Sequence, residues 1–285
     1  MSLTNFEELP TERGLPDYAI FPLIIYTHAS VDGSFPTSHH WHEELEFIYV
    51  EEGEVEIYYN GTPTHARAGQ VYFVNSKDLH QIWPISKVSC HHAIVFKSEI
   101  LGSIWQANNT KFIFNINESA VRNQIATEFR QAILAYEEKY KGHKIVIRAA
   151  LLKIIGLLVK GGLMVTHDED DADPRVPIAK DIMTYIQQNY QRKITIHDLA
   201  NTASMSKSYF CKFFKQMFGK TAIEYINQYR IEKACELISS SNLTLLDIAM
   251  GVGFDNFSYF IRKFKEIKKI TPSQYRKGIK NQPNL

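Results

Sequence analysis

The sequence predicts a two-domain α+β chain: an N-terminal β-barrel followed by helices, then an all-α domain with two helix-turn-helix motifs. Three observations carry this. Short runs rich in Ile, Val, Tyr and Phe recur between residues 21 and 97 at the spacing of a sandwich or barrel. The stretch Ser208-Tyr209-Phe210 is echoed by Ser258-Tyr259-Phe260, and such an internal repeat sets the architecture. Charge is also divided: residues 176–285 hold 17 Lys and Arg against 8 Asp and Glu, whereas residues 1–175 hold 15 against 23. The net charge of +1 therefore conceals a basic C-terminal part suited to nucleic acid. At 285 residues, each of two domains can bury its own core.

In chain order, residues 1–18 read as an irregular arm with Pro10, Gly14 and Pro16. The stretch from Met1 to Pro16 is polar and acidic, which is not a signal peptide. Strands are expected at 21–28, 45–50, 54–59, 71–74, 81–83 and 91–97. The strongest hairpin signal is Glu54 to Tyr59 followed by Asn60-Gly61, a pair that accepts a type I′ turn.

Within the strands lies His40-Trp41-His42, then Glu46, Gly53 and, further on, His80. His40, His42 and Glu46 share one parity, so on a strand they point to one face, and His80 can arrive from a neighbour. The spacing His-x-His-x3-Glu-x6-Gly with a later His resembles the cupin motif. That resemblance implies a cupin-like β-barrel and one divalent metal on His40, His42, Glu46 and His80. Zn, Ni, Fe and Mn all suit three imidazoles and a carboxylate. Asn75 and Lys77 depart from that motif, where proline and glycine are usual, and no Asn follows His80. The alternative is that these histidines line a metal-free pocket or pack in the core. Aromatic and polar candidates for a small-molecule pocket are Tyr49, Tyr72, His80, Trp83 and His91, each equally suited to packing. Trp41 has the opposite parity to the histidines, which turns it away from them.

Two helices follow the strands. Glu118 to Tyr140 carries Val121, Ile125, Phe129 and Ile133 at four-residue steps, with Asn117 or Ser119 as N-cap. His143 to Lys160 carries Ile147, Leu151, Ile154, Ile155 and Leu158, bounded by Gly142 and Gly161-Gly162. The run Ile145 to Val159 is interrupted by Arg148 and Lys153, too short and too charged to span a bilayer. Residues 166–176 are acidic and without apolar periodicity, as in a solvated linker. The expected domains are thus 1–165, the linker 166–176, and 177–285. Cys90, Cys211 and Cys235 are scattered, which fits reduced thiols in a cytoplasmic protein.

In the basic part, Ile178 to Tyr190 opens with Ile178, Ile182, Tyr185 and Ile186 inward, and Thr195 starts a short helix. Ser206 caps the first recognition helix and Gly219 stops it. Thr221 and Glu224 form a capping box for a long helix to Ser239. Thr244 opens the second unit, Asp255 or Asn256 caps the second recognition helix, and Thr271-Pro272 starts the last helix. Residues 177–280 resemble the DNA-binding domain of AraC-type bacterial transcription regulators. The resemblance rests on Ile248-Ala249, Gly253-Phe254, Ser258-Tyr259-Phe260, Arg262, Phe264-Lys265, Thr271-Pro272-Ser273 and Tyr275-Arg276. Lys269 stands where that family usually has glycine, and Ala222 where proline is common.

Helix-turn-helix geometry points Ser208, Cys211 and Lys212, and in the second copy Phe257, Ser258, Ile261 and Arg262, at the major groove. Arg262 is best suited to reading guanine. Lys207, Lys215, Lys263 and Lys265 suit phosphate. Tyr209, Phe210, Phe214, Tyr259, Phe260 and Phe264 are expected to pack. The family resemblance implies a cytoplasmic homodimeric regulator that binds promoter DNA and a small-molecule effector, often a sugar, and acts with RNA polymerase, commonly as an activator. It implies neither a membrane nor an enzyme. The competing expectations are a metal-ion sensor, and a metal-dependent cupin enzyme with an accessory DNA-binding domain.

Overall fold

The computed structural model describes residues 21–30, 37, 39–105, 110–166 and 173–280. The arm at 1–18 and residues 167–172 of the acidic stretch lie outside the described residues. Two compact units account for the chain, with the main boundary between Ala172 and Asp173. Among the described residues, no helix is long and apolar enough to cross a membrane.

The N-terminal unit is built from two sheets. One orders β1 (Leu23–Ser30), β7 (Ser89–Phe96), β2 (Leu45–Glu52) and β5 (Val71–Val74) side by side. The other orders β4 (Thr62–Arg67), β3 (Glu54–Tyr59) and β6 (His80–Pro84). Alternation assigns the faces. From β2 and β5, Ile48, Val50, Tyr72 and Val74 meet Val55, Ile57, Ala66 and Ile82 of the second sheet, forming the interior between the sheets. The odd residues Leu45, Phe47 and Tyr49, with Phe73, Ile94 and Phe96, face the other way. There they pack on α1 (Arg122–Glu138) and α2 (His143–Lys160). Phe47 is fully buried, with the rings of Phe73 and Phe129 edge-on to it at 4.7 and 6.2 Å.

Asn60 and Gly61 both have positive φ, 49° and 82°, as a type I′ turn requires. The partner strand β4 is polar and carries Pro63, so its sequence alternation is weak. β8 (Thr110–Phe112) and β9 (Met164–Thr166) form a further antiparallel pair. Helix α1 starts at Arg122, not at Glu118, and neither expected cap serves it. The Asn117 side chain instead accepts from the Val71 N–H at 2.8 Å, and the Ser119 hydroxyl donates to the Ile116 carbonyl at 2.7 Å.

The C-terminal unit is all helical: α3 (Arg175–Asn189), α4 (Ile196–Thr202), α5 (Lys207–Phe218), α6 (Ala222–Ser240), α7 (Leu245–Gly251), α8 (Phe257–Lys268) and α9 (Pro272–Lys280). Its starts are set locally. Thr195, Ser206, Thr221, Thr244 and Asn256 each accept a backbone N–H three residues on. Thr195–Asp198 and Thr221–Glu224 are complete capping boxes. Gly219 ends α5 in the left-handed region at φ 68°, and Lys269 ends α8 the same way at φ 61°. The glycine difference therefore leaves both recognition helices at the same length, twelve residues.

Long helix α6 binds the two motifs together. Arg230 donates to the Tyr190 carbonyl and to the Arg192 carbonyl, both at 2.8 Å, at the end of α3. Asn227 donates to the Tyr259 hydroxyl on α8 at 3.0 Å. Gly253, in the turn before α8, sits against the same Tyr190 carbonyl.

Candidate metal centre and nucleic-acid interface

His40, His42, Glu46 and His80 converge. One ligand atom from each lies within 4.8 Å of the others, and all but His40 are buried. Three elements bring them together. Glu46 is on the inward face of β2 and His80 begins β6. His40 precedes β2 and exchanges backbone hydrogen bonds with His80, both at 3.0 Å. Trp41 is exposed, but residues 41–44 are not in a strand, so the expected single strand face for His40, His42 and Glu46 does not form; a bend at 43–44 brings the histidines to Glu46 instead.

The hydrogen bonding of this cluster is directional. His42 Nδ1–H donates to the Glu44 carbonyl and His80 Nδ1–H to the Asp78 carbonyl, each at 3.0 Å. The other nitrogen of both rings faces one carboxylate oxygen: Glu46 Oε2 is 2.9 Å from His42 Nε2 and 3.1 Å from His80 Nε2. Burial would raise the Glu46 carboxyl, but His80 and His42 outweigh it and hold it well below the usual range. Burial would lower His80, and the Glu46 carboxylate outweighs that, raising it. Metal-ligating histidines characteristically donate their remote N–H to a backbone carbonyl. The residues present therefore fit a divalent ion held by Nε2 lone pairs and the carboxylate.

The other pocket candidates divide by face. His80, Tyr72 and His91 are on the interior face. Tyr72 is packed against Phe114 with ring centroids 5.1 Å apart, and its hydroxyl donates to Gln70. Tyr49 is not inside: it faces the helices, 5.4 Å from the Phe129 ring, with Arg130 donating to its hydroxyl. Trp83 alternates with inward Ile82 and is 37% exposed, so it too lies outside. Strand parity in β2 and β6 turns Tyr49 and Trp83 away from the interior. His28, which no motif marks, is placed opposite His91 by the β1–β7 register, and the rings stack at 4.9 Å.

His91 is 3% exposed, and its Nε2 has no hydrogen-bond partner among the described residues. Burial, with His28 beside it, holds the His91 imidazole well below the ordinary histidine range; Glu46 opposes and His92 assists. Unfolded histidine titrates near 6.5, so below about that pH the unfolded chain binds a proton that folded His91 refuses. The His91 contribution to stability is thus present above that pH and lost as pH falls. His80 has the opposite sign, because its folded value is raised. We predict that the parent chain loses stability relative to His91→Gln below about pH 6.5, by up to about 1.4 kcal/mol per pH unit. Urea denaturation in chelator at about pH 7.5 and about pH 5.5 checks this, and His80 cancels in the difference.

On the recognition helices, equivalent residues occupy one exposed face. Ser208, Cys211, Lys212 and Lys215 line α5, and Ser258, Arg262 and Lys265 line α8. Lys207 is exposed at the start of α5. Arg262 is exposed and lies over the ring of Tyr259 in the first turn of α8, 5.1 Å from its centroid. Phe257 and Ile261, also expected at the groove, are partly buried against the core of Phe260 and Phe264. Lys263 is off the exposed face and donates to Glu266 at 2.8 Å. Tyr209, expected to pack, is 59% exposed instead, whereas its counterpart Tyr259 is held by Asn227.

Comparison with known proteins assigns both units. Residues 22–155 match the family described as AraC-like ligand binding domain, and residues 199–278 match the one described as helix-turn-helix domain. The chain is 26% identical over 287 residues to the uncharacterized HTH-type transcriptional regulator YdeC of Bacillus subtilis (strain 168), covering 96% of each. It is 36% identical over 109 residues to the transposon Tn10 TetD protein of Escherichia coli, covering 38% of this chain and 79% of that protein. It is 23% identical over 256 residues to the melibiose operon regulatory protein of Escherichia coli (strain K12), covering 85% and 84%.

Proposed function

This chain belongs to the AraC-type family of ligand-binding, helix-turn-helix transcription regulators, and from that premise we propose a specific division of labour. The C-terminal unit reads promoter DNA through the exposed faces of α5 and α8. Arg262 recognises guanine, Lys212 assists in the first motif, and Lys207, Lys215 and Lys265 hold phosphate. The N-terminal unit senses through its interior, where His40, His42, Glu46 and His80 hold a divalent metal ion of the zinc, nickel, iron or manganese group. An ion bound there would supply a fixed positive charge that attracts an oxygen-rich organic effector. The chain's own part is to orient His42 and His80 through the Glu44 and Asp78 carbonyls and to exclude water by burial. Two imidazoles that both present Nε2 to one buried carboxylate oxygen carry this reading. A regulator of the melibiose operon among the relatives supports a sugar as the effector. The unit's role is binding, not turnover, and the regulator activates transcription with RNA polymerase.

The regulator works as a homodimer through α2. Ile145, Ala149, Leu152, Gly156 and Val159 lie on one side of that helix and are all exposed, Ile145 at 75%. A heptad-spaced apolar stripe of this kind is a helix–helix interface. Leu152→Glu is expected to convert a dimer to a monomer in light scattering, with DNA affinity falling at least about ten-fold through lost bivalency.

The test begins with selection of bound fragments from random duplex DNA. Arg262→Ala is then expected to cost about 1–3 kcal/mol on the selected site and to relax one base position, leaving nonspecific binding in place. Unchanged specificity would remove Arg262 from that role. Elemental analysis of a Cys90→Ser chain purified without a metal-affinity step should find near-stoichiometric metal, lost on adding His40→Ala/His42→Ala. Absence of metal would make these histidines lining for an organic ligand alone.

A further inference from the structure

We infer that Glu51, Cys90 and His92 form a second divalent-metal site, of zinc type, on the outer face of the same sheet that carries Glu46 on its inner face. Cys90 and His92 alternate along β7, with inward His91 between them, so both point away from the interior. Glu51 follows Tyr49 on the outward parity of β2, beside β7, at the register shift between Val50 and Glu52. The ligand atoms of the three lie within 4.8 Å of one another. His92 Nε2 is 2.9 Å from Glu51 Oε2 and 4.0 Å from Cys90 Sγ. This triangle holds one nitrogen, one oxygen and one sulfur, the donor set and spread that a small tetrahedral ion spans.

The surroundings favour an ion over a bare Glu–His pair. The Thr27 hydroxyl lies 2.9 Å from His92 Nδ1 and can accept its N–H, which frees Nε2 as a lone-pair donor. His92 is buried and stacked parallel to Tyr49, with ring centroids 6.3 Å apart, so its orientation is fixed. Glu51 is exposed, so an ion has access from solvent. Binding forms one S–metal bond and releases the thiol proton to water. The thiolate selects zinc-like ions over magnesium or calcium.

Cobalt(II) titration tests this on the full chain under reducing conditions, in a Cys211→Ser background. Only a thiolate ligand gives the sulfur-to-cobalt charge-transfer band, and the histidine–glutamate centre inside the barrel has no sulfur. The expected result is a band that saturates at one equivalent of sulfur-bound cobalt and is bleached by zinc. It should vanish in Cys90→Ser. Glu51→Gln, on an exposed side chain that leaves the fold intact, should weaken its affinity at least about ten-fold. No band, a band that persists in Cys90→Ser, or a band whose affinity ignores Glu51→Gln would overturn the site. Because the readout is the sulfur band, these outcomes are independent of whether the interior centre binds metal.

Discussion

Replacing Gly253 by alanine is expected to abolish sequence-specific DNA binding and to destabilise the C-terminal unit by about 3 kcal/mol or more. Two costs add. At φ 92° the backbone is in a region that side chains avoid. A Cβ there would also lie 2.3 Å from the Tyr190 carbonyl oxygen and 3.0 Å from Arg230 Nε. Neither neighbour can yield cheaply, because Arg230 already donates to that same carbonyl. The turn would have to move, and with it the start of α8 and the placement of Ser258 and Arg262. Chemical denaturation and operator binding measured together check this. An alanine variant with parental stability and affinity would show that the turn has slack the geometry denies.

Glu46→Gln is expected to remove the interior metal while preserving side-chain shape. It deletes the one carboxylate facing His42 and His80, and its amide can serve only one of the two Nε2 atoms as before. Losing a charged ligand should weaken metal binding at least about 100-fold. An ion that stabilises the parent by about 2.7 kcal/mol at a hundred times its dissociation constant would then contribute almost nothing. The measurement is the metal-dependent rise in thermal midpoint, in parent and variant, each stripped with chelator and reloaded. Equal rises would place the ion elsewhere in the molecule.

The legible parts of this chain are the local ones. Thr195, Ser206, Thr221 and Asn256 announce helix starts because a cap and its N–H partner are three residues apart. The types and spacing of His40, His42 and Glu46 pointed to one site, but the shared strand face expected for them did not form: β2 begins at Leu45, and the non-strand residues before it bring the histidines to Glu46. Register is different. Nothing near His28 indicates that it will stand opposite His91, and nothing near Glu51 indicates that β7 will bring Cys90 and His92 beside it. Those follow from which strands pair, a choice made by the whole sheet. Strand β4 escaped for a related reason, since a polar strand bearing proline has no apolar rhythm to detect. Phe257 and Ile261 looked available for DNA by position in the repeat, but the core of the second motif draws them inward.

Helix α6, with Arg230 fixed to the end of α3 and Asn227 to Tyr259, has a consequence written in the operator. Under the proposed division of labour, in which both recognition helices read DNA, they cannot adjust their separation independently, so the base pairs they read are expected to keep a fixed rotational phase around the duplex. Inserting about five base pairs between the two subsites turns one of them to the far side of the DNA. One motif would then face sugar and phosphate only. The length of the spacer, which no side chain touches, thereby becomes part of the message.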